Sequence, residues 1–233
     1  MKTFVRGMKD GVPIALGYLA VSFTFGMMSV TKGLTVWQAT LISLVNVTSA
    51  GQFAGLDIIA TGGALSEMAL TQLVINLRYT LMSFSLSQKI EPKTGLGKRL
   101  VLSFGITDEI YGIDTAYPGK LPPSYHYGAM AVAVPGWVFG TLLGAVAGNV
   151  LPAMIMSALG VAIYGMFLAI IIPPAKKDRS VLLVVLASMG CGCLFRYVPV
   201  LSGISSGFSI ILITVGVSVV AALLSPIKEE EAA

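Results

Sequence analysis

The sequence predicts an all-α polytopic membrane protein with about six crossing helices and one or two broken or re-entrant ones. Three observations carry this. The chain of 233 residues is 55% hydrophobic and only 11% charged, against roughly 25% charged in a soluble domain. Its mean hydropathy is +0.86. Its apolar residues gather into stretches close to the roughly 20 residues that cross a hydrocarbon core of about 30 Å. Too few charges remain to cover a water-facing surface, so residues 1–233 read as one integral membrane domain seated in the lipid bilayer. The balance of 15 Lys and Arg against 11 Asp and Glu is spread over short gaps between apolar runs. It forms no clustered basic face, which argues for loops of a membrane protein and against nucleic acid.

The stretches run in order over 12–30, 37–59, 66–86, 100–113, 128–149, 151–172, 181–198 and 203–224. The first follows Lys2, Arg6 and Lys9 and has no small-x-small cleavage site. It reads as a membrane segment whose N-terminus stays in the cytoplasm. Gly11, Pro13 and Gly17 make it either an ordinary helix start or a second break. The second stretch is cut by Asn46, Val47, Thr48, Ser49, Ala50, Gly51 and Gln52. Backbone opened there must lie within protein or line a cavity, because lipid offers it no hydrogen bonds. The third holds Asn76 and Arg78. The fourth is short and holds Asp108 and Glu109. The fifth has Gly136, Gly140, Gly144 and Gly148 at every fourth position, a stripe suited to close helix packing. Trp37, Trp137, Tyr125 and Tyr127 lie near stretch ends, as headgroup-zone aromatics do.

Charge placement adds a constraint. The N-terminus, the loop 88–99 (Lys89, Lys93, Lys98, Arg99) and the loop 173–179 (Lys176, Lys177, Arg179) are all basic and so belong on the cytoplasmic side. Eight simple spans would put loop 88–99 outside. The parity is repaired if 37–59 and 100–113 each dip in and return, and these are the two stretches with polar interiors. Simple crossing with an imperfect charge bias is the alternative.

Ionisable residues in a membrane segment cost roughly 2.5–3.5 kcal/mol each on insertion scales and need a reason. Arg78 is expected to pair with Asp108 or Glu109 by parallel hydrogen bonds, as helix glue or as part of a substrate site. Glu109 is the candidate for proton coupling if it is buried without a full partner. The Ser49–Gly51–Gln52 break offers backbone donors at a half-helix start, where carboxylates bind. Asp57 and Glu67 are expected at the interface, and His126 in a solvated loop. Cys191 and Cys193 make neither a disulfide framework nor a metal site, so no metal and no cofactor is expected. No phosphate-binding glycine loop or nucleophile elbow occurs, and the chain is not expected to be an enzyme.

The segment Gly11-Val12-Pro13-Ile14-Ala15-Leu16-Gly17-Tyr18, then Phe25-Gly26, Ser49-Ala50-Gly51-Gln52-Phe53-Ala54, Ile75-Asn76-Leu77-Arg78-Tyr79-Thr80-Leu81-Met82-Ser83 and Thr107-Asp108-Glu109 together resemble the AzlC family. The resemblance is strongest from Gly11 to Glu109. It implies a multi-pass permease of the bacterial or archaeal plasma membrane that exports valine, leucine, isoleucine and sometimes methionine. It also implies a small AzlD-like membrane subunit as partner. One departure is Tyr79, which stands where many relatives carry histidine. A zwitterion with an apolar tail needs donors for its carboxylate, acceptors for its ammonium and a dry wall. Ser49, Gly51 and Gln52 are the expected donors. Asn76, Asp108 and Glu109 are the expected acceptors, with Arg78 holding the acids or meeting the carboxylate. Phe23, Phe53, Leu56 and Met82 are expected in the wall. A non-transporting assembly subunit and an ion channel are the other classes open to such a chain.

Overall fold

The structure, a computed structural model, describes residues 1–151, 154, 168, 171, 172 and 175–224. The stretch expected over 151–172 lies almost wholly outside the described residues. Among those residues every regular element is a helix: α1 (Lys2–Thr31), α2 (Val36–Val45), α3 (Ala50–Ala60), α4 (Leu65–Lys89), α5 (Leu96–Phe104), α6 (Asp108–Ala116), α7 (Pro123–Gly148), α8 (Arg179–Tyr197) and α9 (Ser206–Leu224). The all-α expectation holds. Helices α1, α7, α8 and α9 are long and apolar enough to cross a membrane. Helix α4 has 25 residues, enough to span by length at about 1.5 Å per residue. The chain divides into two compact units, Met1–Leu56 with Asn76–Ile163, and Asp57–Ile75 with Tyr164–Ala233.

The first unit is built on α1 and α7, which lie against each other in parallel. A Cβ on Gly7 would strike the Tyr125 carbonyl, one on Gly11 would meet Ala129, and one on Gly26 would strike the Thr141 carbonyl. From the other side, Gly128 meets Phe4, Gly136 meets Ala15, Gly140 meets Leu19 and Ser22, and Gly144 meets Phe23. The pairings advance together along both helices, so the two run in the same direction. Without Cβ atoms the backbones approach closely enough for dispersion contact along their length. The glycine stripe is therefore packing within the chain. Helix α1 is unbroken through Pro13, which rules out the second break. Gly11, just before the proline, is clamped on α7, and neighbouring helices are what let a membrane helix absorb a proline.

Both predicted breaks exist. Between α2 and α3 the chain leaves helical geometry at residues 46–49, and Ser49 adopts φ 48°, a left-handed conformation rare for a residue with a side chain. Gln52 Nε2 then donates to Ser43 Oγ across 2.9 Å. A straight helix would hold residues nine apart at about 14 Å, so this bond requires the chain to turn back. The second break separates α5 from α6 at Gly105, Ile106 and Thr107. Gly105 on its way in and Asp114 on its way out both lie against His126 of α7. This too is a hairpin.

The hairpins enter from opposite ends. The α2 hairpin begins just past Thr31, at the far end of α1. The α5 hairpin begins beside Tyr127, whose hydroxyl donates to the Lys98 carbonyl, near the N-terminal end of α7. The second half of α4 runs toward that same end. Tyr111 reaches Ser85, Lys89 reaches the Thr115 carbonyl, and Ile90 bridges to Leu121. Loop 90–95 thus lies at the end of the pair that holds the basic N-terminal residues, as the charge parity requires.

In the second unit, α8 starts at Asp178, which accepts from the Ser180 N–H at 2.7 Å. Residues 198–205 separate α8 from α9. Glu67 is buried, and Ser205 donates to its carboxylate. Cys191 and Cys193 are free.

Candidate functional site

The two hairpin tips meet beside the middle of α1 and α7. Tyr18, Ile110, Ala129, Ala133 and Trp137 form a buried cluster, with Val47 of the first break and Ile113 packed on it. Tyr18 and Trp137 stand edge to face, ring centroids 5.3 Å apart, a favoured aromatic geometry. In front of the tips lies a polar hollow of about 210 Å³, lined by Val45, Asn46, Val47, Thr48, Asn76, Tyr79, Ser83, Ser103, Phe104 and Ile106. A cavity of about 150 Å³ holds benzene, so the hollow has room for a small amino acid.

Polar contacts brace each tip. Thr48 donates to Asn76 Oδ1 at 2.7 Å, tying the first break to α4. The Tyr18 hydroxyl lies 2.6 Å from Thr107 Oγ1 and 2.7 Å from Glu109 Oε2. It has one proton to give, and the carboxylate is the stronger acceptor. Thr107 also caps α6, accepting from the Ile110 N–H. Arg78 forms an ion pair with Asp108 and lies 5.1 Å from the Tyr79 ring centroid. The expected pairing is therefore with Asp108, while Glu109 is held by Tyr18. The two carboxylates are adjacent in a helix, about 100° apart around its axis, and so serve different neighbours.

Gln52 is 3% exposed. Its Oε1 accepts from Trp137 Nε1 at 2.9 Å and its Nε2 donates to Ser43, which shares a 2.7 Å hydrogen bond with Thr141. This chain of bonds fastens the α2 hairpin to α7. Gln52 therefore braces the turn from behind. Of the expected site residues, Asn76 lines the hollow itself. Ser49 and Gly51 form the turn beside it, and Gly51 N–H already donates to the Thr48 carbonyl at 3.3 Å. Arg78, Asp108 and Glu109 flank it. The Arg78 and Asp108 side chains keep about two fifths of their surface, and Glu109 is exposed, so the burial proposed for Glu109 is absent. Two of the expected wall residues lie elsewhere: Leu56 is 2% exposed, and Phe53 stands edge-on against Phe25.

Sequence reasoning misplaced two aromatic or titratable groups. Trp137 is 1% exposed in the middle of α7, because the Gln52 oxygen satisfies its indole N–H. His126 is fully buried in the first turn of α7, with Nδ1 2.6 Å from Asp114 Oδ2. Burial holds the Asp114 carboxyl above its ordinary value, with His126 and Lys89 offsetting only part of the rise. No spacing rule links residues 114 and 126, since the α5 hairpin brings them together. Among the described residues no cluster of three or more His, Cys, Asp or Glu has the grouping of a metal site.

The known proteins that this chain is similar to are membrane proteins. The inner membrane protein YgaZ of Escherichia coli is 30% identical over 218 residues, covering 82% of this chain and 89% of its own. An uncharacterized membrane protein of Archaeoglobus fulgidus is 29% identical over 175 residues, 74% of this chain and 76% of that one. One from Helicobacter pylori strain 26695 is 27% identical over 156 residues, 64% and 68% of the two chains. No solved structure matches. A family match described as AzlC protein spans residues 13–151. That range takes in both hairpins, the Arg78 pair and the α7 side of the glycine spine: this chain is a membrane protein of the AzlC family.

Proposed function

We propose that this chain is a permease that exports branched-chain amino acids, valine, leucine and isoleucine with methionine as a further substrate, by secondary transport. The observation that carries the reading is the meeting of two opposed hairpin tips around one polar hollow. Discontinuous helices at mid-membrane depth are how secondary transporters bind zwitterions, through half-helix termini and freed backbone groups. The backbone of the Ser49–Gly51 turn contacts the substrate carboxylate. Asn76, Asp108 and Glu109 contact the ammonium, with Arg78 fixing Asp108. Gln52 holds the turn in shape.

The substrate or proton gradient supplies the energy, and each hairpin opens toward its own side in turn. The protein resides in the plasma membrane, in keeping with the printed name of the Escherichia coli relative, with its N-terminus in the cytoplasm. A small AzlD-like membrane subunit assembles with it. The reading gives the chain no catalytic step.

Export of valine from cells fed a valine dipeptide tests this, with and without a co-expressed AzlD-like subunit. Asn76→Ala and Asp108→Asn should each lower export about tenfold or more at unchanged membrane abundance. In proteoliposomes the flux should saturate with valine. Unsaturable ion current would favour a channel, and no flux with the subunit present would favour an assembly role.

A further inference from the structure

We propose that His126 and Asp114 form the proton-binding site of this protein, and that proton uptake there is passed along α6 to the hollow. The second half of this proposal rests on the transport reading. Both side chains are fully buried, and their outer atoms, His126 Nε2 and Asp114 Oδ1, have no hydrogen-bond partner among the described residues. Buried polar groups are normally paired, and the exceptions need a reason. A neutral imidazole that donates Nδ1–H to Asp114 leaves Nε2 as a free acceptor. A proton arriving there makes an imidazolium already facing a carboxylate, so the pair changes charge from −1 to 0 without losing its contact.

Gly105 lies close to Nε2, with the Met130 side chain beside it. A Cβ on Gly105 would lie 2.8 Å from that nitrogen. Gly105 begins the break between α5 and α6, so the proton position touches the hinge of the hairpin. Helix α6 carries Asp114 in its last turn and Asp108 with Glu109 in its first. A change in how Asp114 is held therefore acts on the residues paired with Arg78 and Tyr18.

The charged and titratable groups around the pair come from several elements. Lys89 of α4 reaches the Thr115 carbonyl and acts on Asp114. Tyr125 next to His126 donates to Asp10 of α1, with Arg6 beside Asp10. The Tyr127 ring lies 6.5 Å from His126, edge-on.

His126 is the single histidine of the chain, so histidine-selective nitrogen-15 labelling reports it alone. In the full-length protein in nanodiscs, the Nε2 resonance should change reversibly from unprotonated to protonated as pH is lowered across about 8 to 5, the range in which histidines change charge. In Asp114→Asn that change should be lost from this range, for want of the facing carboxylate. In proteoliposomes, His126→Gln should keep valine exchange but lose at least tenfold of the acceleration given by an imposed pH gradient. An Nε2 state unchanged across the range overturns the site. Full gradient acceleration in His126→Gln overturns the coupling. Wild-type vesicles without valine flux would end the exporter reading and the coupling with it, and the titration alone would then decide the proton site.

Discussion

The indole N–H of Trp137 donates to the side-chain oxygen of Gln52 across 2.9 Å, joining the tip of the α2 hairpin to the middle of α7. Both groups are buried, so each depends on the other. Trp137→Phe keeps the ring stacked on Tyr18 but leaves the Gln52 oxygen unpaired, at a cost of about 1–3 kcal/mol. Thermal unfolding of the detergent-solubilised protein should show a lower midpoint. Trp137→Phe with Gln52→Leu should lose less than the two single changes added together. Additive losses would mean that the bond contributes nothing.

Arg78 and Asp108 should couple in the same way. Arg78→Ala leaves Asp108 without its cation beside the hollow and should lower membrane abundance. Adding Asp108→Asn should recover abundance, with a coupling energy of about 0.5 kcal/mol or more, while export stays low. Glu109→Gln should give no such recovery, because its partner is Tyr18. A double variant as scarce as Arg78→Ala would remove the pair from the account of stability.

Gly144→Val places a branched side chain against the Phe23 backbone and should separate α1 from α7, with a loss of about 1–3 kcal/mol or failure to assemble. Gly190→Ala meets no atom within 4 Å and should be tolerated. Abundance after membrane extraction, compared between the two, checks this.

Topology follows from the hairpins. Cysteine placed at Thr94 should react with a membrane-impermeant maleimide from the same side as a tag at Met1. Cysteine at Lys32 should react from the opposite side. Labelling of positions 32 and 94 from one side would show that the α2–α3 element crosses rather than returns.

Much of this was legible in the sequence because membrane burial makes polar residues conspicuous. The run around Thr48 and Ser49 and the acids at 108 and 109 marked both breaks, and charge parity marked both as hairpins. The glycine stripe on α7 announced a close partner without naming it. Gly7, Gly11 and Gly26 on α1 are spaced too irregularly to read as the matching half. The roles of Gln52, Trp137 and His126 were not legible. Each depends on a partner brought in by a chain reversal, and a side chain that meets its partner in space leaves no local pattern. Trp137 looked interfacial because aromatic residues usually are, and its indole N–H was given a buried acceptor only by the fold.

The union of α1 with α7 has a consequence for biosynthesis. The first helix delivered to the bilayer cannot find its mate until more than a hundred further residues have been made, and closing so long a loop is among the slower steps of assembly. Until then its bare glycine face must rest against lipid, translocon or another protein, so the nascent chain is most vulnerable to quality control in the interval before residue 148 emerges.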